Sequence, residues 1–337
     1  MLSLLGSIYG MISDLRSRLY EGGVFETHDL GARTISVGNI TAGGTGKTPL
    51  VNYVAGLLAE RGEKVCILTR GYGRQNPNQG VLVSDGKEVL ADVRQAGDEP
   101  YELARKLIGK AIVIADANRV SAAKWAKNKF DVTTFVLDDG FQHRRAKRDV
   151  DIVCLDATDP FGGEKMLPAG RLREPLHNLK RADIIILMRA DLDLQLFNLQ
   201  SDIKRLATNT AVFEAEKSIV AVCPLDKLFG NASVSTGISL PSNSFAFCGL
   251  GNPQNFYHTL NQAGAKLAGI RPFPDHHKYN QSDVVDLEKE ASATGATSFL
   301  TTAKDAVKLG GLQFQLPCYV VEIGLKFDNA EGFAKLL

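Results

Sequence analysis

Residues 41–48 (TAGGTGKT) carry side chains and backbone suited to gripping the phosphates of a nucleotide. The phosphate-loop pattern Gly-x-x-x-x-Gly-Lys-Ser/Thr is met at Gly46, Lys47 and Thr48, with Thr41 in place of the first glycine. Gly43 and Gly44, between Ala42 and Thr45, supply a permissive backbone whose N–H groups can converge on phosphate oxygens. Lys47 is expected on the β/γ-phosphates and the Thr48 hydroxyl on Mg²⁺. An apolar strand, TISVG, runs into this loop, and Pro49 is tolerated in the first turn of a following helix. A glycine-rich turn with a surface lysine is the plainer alternative.

Such a loop calls for an acid at a neighbouring strand end. TTFVLDD (133–139) delivers Asp138 and Asp139 there. Two adjacent carboxylates repel unless a cation neutralises them, which makes Asp138 the metal candidate rather than part of a solvated turn. RGYGR (70–74) follows another strand; GDEP (97–100) sets Asp98 and Glu99 before a helix. DDGFQHRRAKR (138–148) adds His143 and a basic run, and LPAGRLREP (167–175) adds Arg171 and Arg173. Arginines in such loops suit two-pronged phosphate binding, although each segment alone also fits a solvated face. RPFPDHHKY (271–279) gathers Asp275, His276 and His277. No second Cys/His cluster supports zinc there, whereas a histidine paired with a carboxylate can help it take a hydroxyl proton.

These residues need a scaffold. Apolar runs at 34–38, 64–69, 111–115, 133–138, 150–155 and 183–188 alternate with helix-like stretches such as 49–61 and 99–108. Strands apolar on both sides are those of a parallel sheet buried on both faces, so an α/β fold is expected: a P-loop NTPase-type, mostly parallel sheet with helices on both faces. Ligands of such sheets gather at the carboxyl ends of the strands, where RGYGR and the acid pair fall. Residues 229–244 read as a long loop, after which 244–251, a helix near 253–263, 297–302 and 317–323 resume the alternation. We therefore expect a core at 1–215 and a second, smaller α/β domain at 216–337 that closes over the site.

At 337 residues, 44% hydrophobic and net charge +1, the chain is sized for two domains and gives no bulk reason for nucleic-acid binding. Its five cysteines are scattered through apolar runs with no Cys-x-x-Cys pair, as for buried reduced thiols. No stretch is long and apolar enough to span a bilayer. Met1, Leu4, Leu5, Ile8, Met11, Ile12, Leu15 and Leu19 nevertheless recur at helical spacing. This leader (about 1–20) is either an amphipathic helix packed on its own domain or one lying in a membrane interface.

In this order, GNITAGGTGKTP, RGYGR, GDEP, DDGFQHRRAKRDVDIV, LPAGRLREPL, FPDHHKY and TTAKDAVKL resemble the tetraacyldisaccharide 4′-kinase family, the lipid A 4′-kinases of Gram-negative bacteria. The motifs span residues 38–308. Thr41 agrees with that family's loop; Ala303 stands where the family pattern has an acidic residue. The resemblance implies transfer of the γ-phosphoryl of ATP, with Mg²⁺, to the 4′-hydroxyl of a tetraacylated glucosamine disaccharide 1-phosphate. It implies Asp98 as the base, oriented by His276 in preference to His277. Asp138 would serve the metal with Thr48 and Glu99, and Asp139 and His143 would lie by the reacting groups. Arg119 and Arg171 would neutralise phosphate charge. A four-chain acceptor stays in a bilayer, so the leader becomes a peripheral membrane helix at the cytoplasmic face of the inner membrane. Two rivals are a partner-regulated P-loop ATPase or GTPase switch, whose guanine reader TTAKDAV only loosely imitates, and a ligase-like enzyme on a soluble metabolite, which leaves the leader unexplained.

Overall fold

The computed structural model describes residues 2–190, 196–228, 239–275 and 277–337, apart from the side chains of residues 196 and 197. The chain forms two compact units, residues 1–216 with 325–337, and residues 217–324.

In the first unit the order is α1 (Leu2–Glu21), β1 (Arg33–Gly38), α2 (Lys47–Glu60), β2 (Val65–Thr69), β3 (Val81–Ser84), α3 (Val93–Ala96), α4 (Asp98–Lys106), β4 (Ala111–Ala115) and α5 (Arg119–Phe130). There follow β5 (Thr134–Asp138), β6 (Val150–Asp156), β7 (Ile184–Met188), α6 (Leu196–Leu206) and β8 (Ala211–Pro224), of which residues 217–224 belong to the second unit. The sheet order is β8-β7-β6-β1-β5-β2-β4-β3, parallel except for the antiparallel edge strand β3.

Alternate residues of each strand face opposite sides. Ile35, Val37, Ile67, Val113, Val136 and Ile152 pack with Leu50, Val54 and Leu58 of α2 and Leu103 of α4. Leu68, Ile114, Phe135 and Leu137 pack on the other side with Val120, Ala123 and Ala126 of α5. The expected sheet covered on both faces is thus present.

Parallel pairing also sets the register that matters. Val37 lies opposite Asp138, and Leu68 opposite Leu137, so the phosphate loop, Thr69 and the acid pair leave one edge together.

The second unit follows with α7 (Leu225–Leu228), β9 (Ser244–Cys248), α8 (Pro253–Gln262), β10 (Leu267–Pro272), α9 (Gln281–Thr294), β11 (Ser298–Thr302), α10 (Ala303–Ala306) and β12 (Cys318–Phe327). Its parallel strands run β10-β9-β11-β12. Leu287 and Ala291 of α9 cover Phe245, Phe247 and Phe299; Phe256 and Leu260 of α8 cover Ala246, Cys248 and Leu300. Of the loop expected at 229–244, residues 229–238 lie outside the described residues.

The chain's last stretch differs from the expected 216–337 domain. Residues 325–337, including α11 (Ala330–Leu336), belong to the first unit. There the Phe327 and Phe333 rings stack at 4.7 Å and meet Tyr53 of α2, so aromatic burial draws the terminus back. All five cysteines are buried, with no disulfide.

α1 is a full helix whose docking is the reverse of an ordinary amphipathic one. With 3.6 residues per turn, Ser3, Gly6, Ser7, Gly10, Ser13, Asp14 and Ser17 share one side. That side meets the domain: a Cβ on Gly6 would stand 2.9 Å from the Met166 carbonyl oxygen, and one on Gly10 3.2 Å from Met166 Cγ. Asp14 Oδ1 lies 2.7 Å from His177 Nε2, and Arg144 donates to the Ser17 carbonyl and hydroxyl at 3.1 and 2.6 Å. The opposite side exposes Leu4 (67%), Met11 (67%) and Ile12 (62%), with Leu2, Leu5, Ile8 and Leu15 also open to solvent.

Candidate active site

β1 ends at Gly38, and residues 39–46 turn over into α2. Gly46 precedes the helix at φ 86°, where a Cβ would also stand 2.7 Å from Met188 Cε, so glycine is required twice over. The turn is pinned from both flanks. Asn39 Nδ2 donates to Thr45 Oγ1 at 2.9 Å, and the Ala42 N–H donates to the Arg171 carbonyl at 2.7 Å. Thr41, almost fully buried, bridges to Leu172 instead of facing out, which accounts for a side chain at the usual glycine position. Gly43 and Gly44 are exposed on the open side of the loop. Lys47 and Thr48 begin α2, whose free N–H groups and positive helix end suit an anion.

Asp138 and Asp139 leave β5 in different settings. Asp138 is 5% exposed, and Thr69 Oγ1 donates to its Oδ2 at 2.8 Å. Burial pushes its pKa up, and the Asp139 charge adds to that rise against the opposing pull of Thr69, Lys47 and Arg119. Asp139, at φ 51°, turns toward cations. Arg173 grips it with two hydrogen bonds, 2.6 and 3.0 Å, and also donates to Asn39 Oδ1 at 3.0 Å. Lys47 Nζ lies 3.7 Å from Asp139 Oδ1. Burial acts to raise the Asp139 pKa too, but Arg173 and Lys47 outweigh it and hold the carboxylate below its ordinary value.

The remaining predicted residues take distinct places. Arg119 opens α5, is 5% exposed, and donates to the Asp138 carbonyl at 3.1 Å. Arg171 stands at the outer side of the loop, its Nη1 3.8 Å from where a Gly43 Cβ would be, and pairs with Asp159. His143 is partly buried with Nε2 unpartnered; burial, then Arg119, Arg148, Arg145 and Arg16, push its pKa down to about 4. Asp98 and Glu99 start α4. Gly97 just before them leaves no room for a side chain, since its Cβ would stand 2.5 Å from the Tyr72 carbonyl oxygen. GDEP is thereby seated on RGYGR, which continues from Thr69. His276 lies outside the described residues. His277 is engaged within its own unit: Nε2 lies 3.1 Å from Asp283 Oδ2 and the ring stacks on Phe273 at 4.7 Å.

Asn39 and Thr69 were not singled out from sequence, and Arg173 was read there with Arg171 as a phosphate binder rather than as the partner of Asp139. Arg171 and Arg173 share one motif and one chemistry; only the extended path of 171–173, with Leu172 buried between them, decides which reaches Asp139.

Among the described residues, no group of three or more His, Cys, Asp or Glu side chains forms a metal cage. The oxygen donors at hand still fit Mg²⁺. Asp138, buried and pushed toward its protonated form, gains from a cation, and Mg²⁺ is ordinarily held by one or two carboxylates together with phosphates and water.

Comparison with known proteins points one way. The tetraacyldisaccharide-1-P 4′-kinase family model matches residues 1–337. A tetraacyldisaccharide 4′-kinase of Desulfotalea psychrophila is 37% identical over 326 residues, covering 94% of this chain and 89% of that protein. One of Halothermothrix orenii is 40% identical, covering 100% of this chain and 91% of that protein. The solved structure of LpxK from Aquifex aeolicus in complex with ATP matches at TM-score 0.79 and 31% identity, over 98% of this chain and 96% of that one.

Proposed function

This chain belongs to the tetraacyldisaccharide 4′-kinase family, and we propose that the strand-end cluster of its first unit is where the reaction of that family is carried out. The protein is an ATP-dependent kinase that phosphorylates the 4′-hydroxyl of a tetraacyl disaccharide 1-phosphate. The observation that carries the site assignment is the meeting of Lys47 with Asp139, 92 residues later in the chain, beside the buried Asp138.

In this reading the backbone of residues 41–48 and Lys47 hold the ATP phosphates, and the N-terminus of α2 adds its partial charge. Thr48, Asp138 and Glu99 would hold Mg²⁺, which would offset charge on the phosphate oxygens. Asp98 accepts the proton of the 4′-hydroxyl as its oxygen attacks the γ-phosphorus and the ADP oxygen departs. Arg171 and Arg119 offset charge on the transferring and acceptor phosphates, and His143 donates to or accepts from the substrate as a neutral imidazole. Arg173 keeps Asp139 ionised and aimed at Lys47, so that the lysine is positioned before the nucleotide arrives.

α1 supports peripheral membrane contact at the cytoplasmic face of the inner membrane, where ATP and the acylated acceptor are both available. Its large apolar side chains are exposed while its small residues dock, and no described helix is long and apolar enough to cross a bilayer.

The decisive test incubates the purified chain with labelled ATP, Mg²⁺ and detergent-dispersed tetraacyl disaccharide 1-phosphate. Formation of the 4′-phosphorylated lipid is expected. Absence of transfer, with ATP hydrolysis stimulated by a protein partner, would return the chain to the switch reading.

A further inference from the structure

The two arginines of RGYGR (70–74) look alike in the chain, and the structure parts them. Arg70 is exposed, its guanidinium 5.1 Å from the centre of the Tyr72 ring and its Nη1 3.0 Å from the Tyr72 hydroxyl. Arg74 turns inward and is 6% exposed. One prong of its fork donates to the carbonyl of Ala115, the last residue of β4, and the other donates to the Pro77 carbonyl at 2.5 Å. Its Nε is buried without a partner. Burial pushes the Arg74 pKa down, and the Asp116 charge opposes that fall. A lysine ends in one nitrogen and an arginine in a planar fork, so arginine suits two carbonyls on separate segments.

What this fork holds is the seat of Asp98. A Cβ on Gly71 would stand 3.1 Å from Arg74 Cδ, 3.0 Å from Ala115 Cβ and 3.1 Å from the Ala96 carbonyl oxygen at the end of α3. The Gln75 N–H donates to the Arg94 carbonyl of α3 at 2.8 Å. Gly97, between α3 and α4, rests on the Tyr72 carbonyl. Residues 71–75 are thereby joined to 94–97, immediately before Asp98. The far end of the loop is closed as well. The Asp116 N–H donates to the Thr69 carbonyl at 2.9 Å, and a Cβ on Gly80 would stand 2.5 Å from Asp116 Oδ2.

We propose that Arg74 is a positioning residue for the phosphoryl transfer: it braces residues 70–77 against the end of β4, and the braced loop fixes Asp98. A guanidinium buried largely on neutral carbonyls costs free energy that a solvated loop has no need of. It is found where the loop backs the start of α4. This rests on the reading of the chain as a kinase whose base is Asp98.

The test uses the full-length chain with ATP, Mg²⁺ and the tetraacyl disaccharide 1-phosphate. Arg74→Gln removes the fork and the charge. Arg74→Lys, the milder change, keeps the charge and the stem but reaches one carbonyl only. Both are expected to speed hydrogen exchange in 70–77 and at the start of α4. Both should lower kcat per folded molecule by about 10- to 100-fold, the scale of a small misplacement, with the KM for ATP held within about twofold. On an Asp98→Ala background the same changes should lower kcat no further, because the group they misplace is gone. Unchanged exchange with both variants overturns the brace. A KM for ATP that rises while kcat holds returns Arg74 to phosphate binding. Faster exchange with unchanged kcat, an equal loss with and without Asp98, or a fall in kcat that vanishes once corrected for folded fraction breaks the link to Asp98. Full activity of Asp98→Ala alone, or a wild-type chain that phosphorylates no lipid, sinks the underlying reading instead, and the exchange data still decide whether Arg74 holds the loop.

Discussion

At the scale of single residues, charge separates groups that look alike in the chain. Asp138 and Asp139 are neighbours, yet burial pushes one up in pKa while Arg173 and Lys47 hold the other down. The first is poised for a cation and the second is already paired. Asp98→Ala should lower kcat by ~10²–10⁴ while leaving ATP affinity nearly intact; collapse of ATP binding by calorimetry would assign Asp98 to the metal instead. His143 gives a pH signature. Its pKa falls from the ordinary 6.5 to about 4 on folding, so between those values the unfolded chain takes up a proton that the folded one refuses. Stability is therefore lost as pH drops through that window. Thermal melts from pH 7 to pH 4 should show a shallower decline for His143→Gln than for the wild type.

At the scale of elements, α1 inverts the usual logic of a packed helix. Burying the side formed by Gly6, Gly10 and Ser17 brings backbone close to Met166 and leaves a row of leucines and isoleucines in water. Fully burying such a side chain is worth about 1.5–3 kcal/mol, so leaving this many exposed points to an apolar phase as their destination. Ile8→Glu with Ile12→Glu should reduce co-sedimentation with liposomes while leaving the melting temperature and ATP affinity nearly unchanged. Gly10→Leu should act oppositely, lowering stability because Met166 already occupies the space. Equal liposome binding by the double glutamate variant would remove α1 from the membrane contact.

At the scale of the whole chain, the first unit is closed by the last residues. Phe333 is fully buried against Phe213, Phe327 and Tyr53, more than two hundred residues from α2 in sequence. Phe333→Ala should cost about 3–5 kcal/mol, the range for a buried phenylalanine that leaves a cavity. Denaturant unfolding would report it, and the loss should fall on the transition that also abolishes ATP binding. Truncation before residue 325 should be more damaging than its distance from the site suggests.

What the sequence determined by itself is what local rules govern. Two-sided apolar runs predicted β1, β2, β4, β5, β6 and β7, and the glycine pattern with Lys47 and Thr48 predicted the turn between β1 and α2. Edge strands β3 and β10 were missed because half-exposed strands lack that signal, and α5 and α9 because their apolar positions are few and short. Ordered together, the motifs also determined the family. Only the tertiary structure decided that Arg173, not Arg171, grips Asp139, that the leader docks by its glycines, and that residues 325–337 return to the first unit. Each depends on which distant groups share a space after folding, and two arginines in one loop, or two sides of one helix, carry no local mark of that choice.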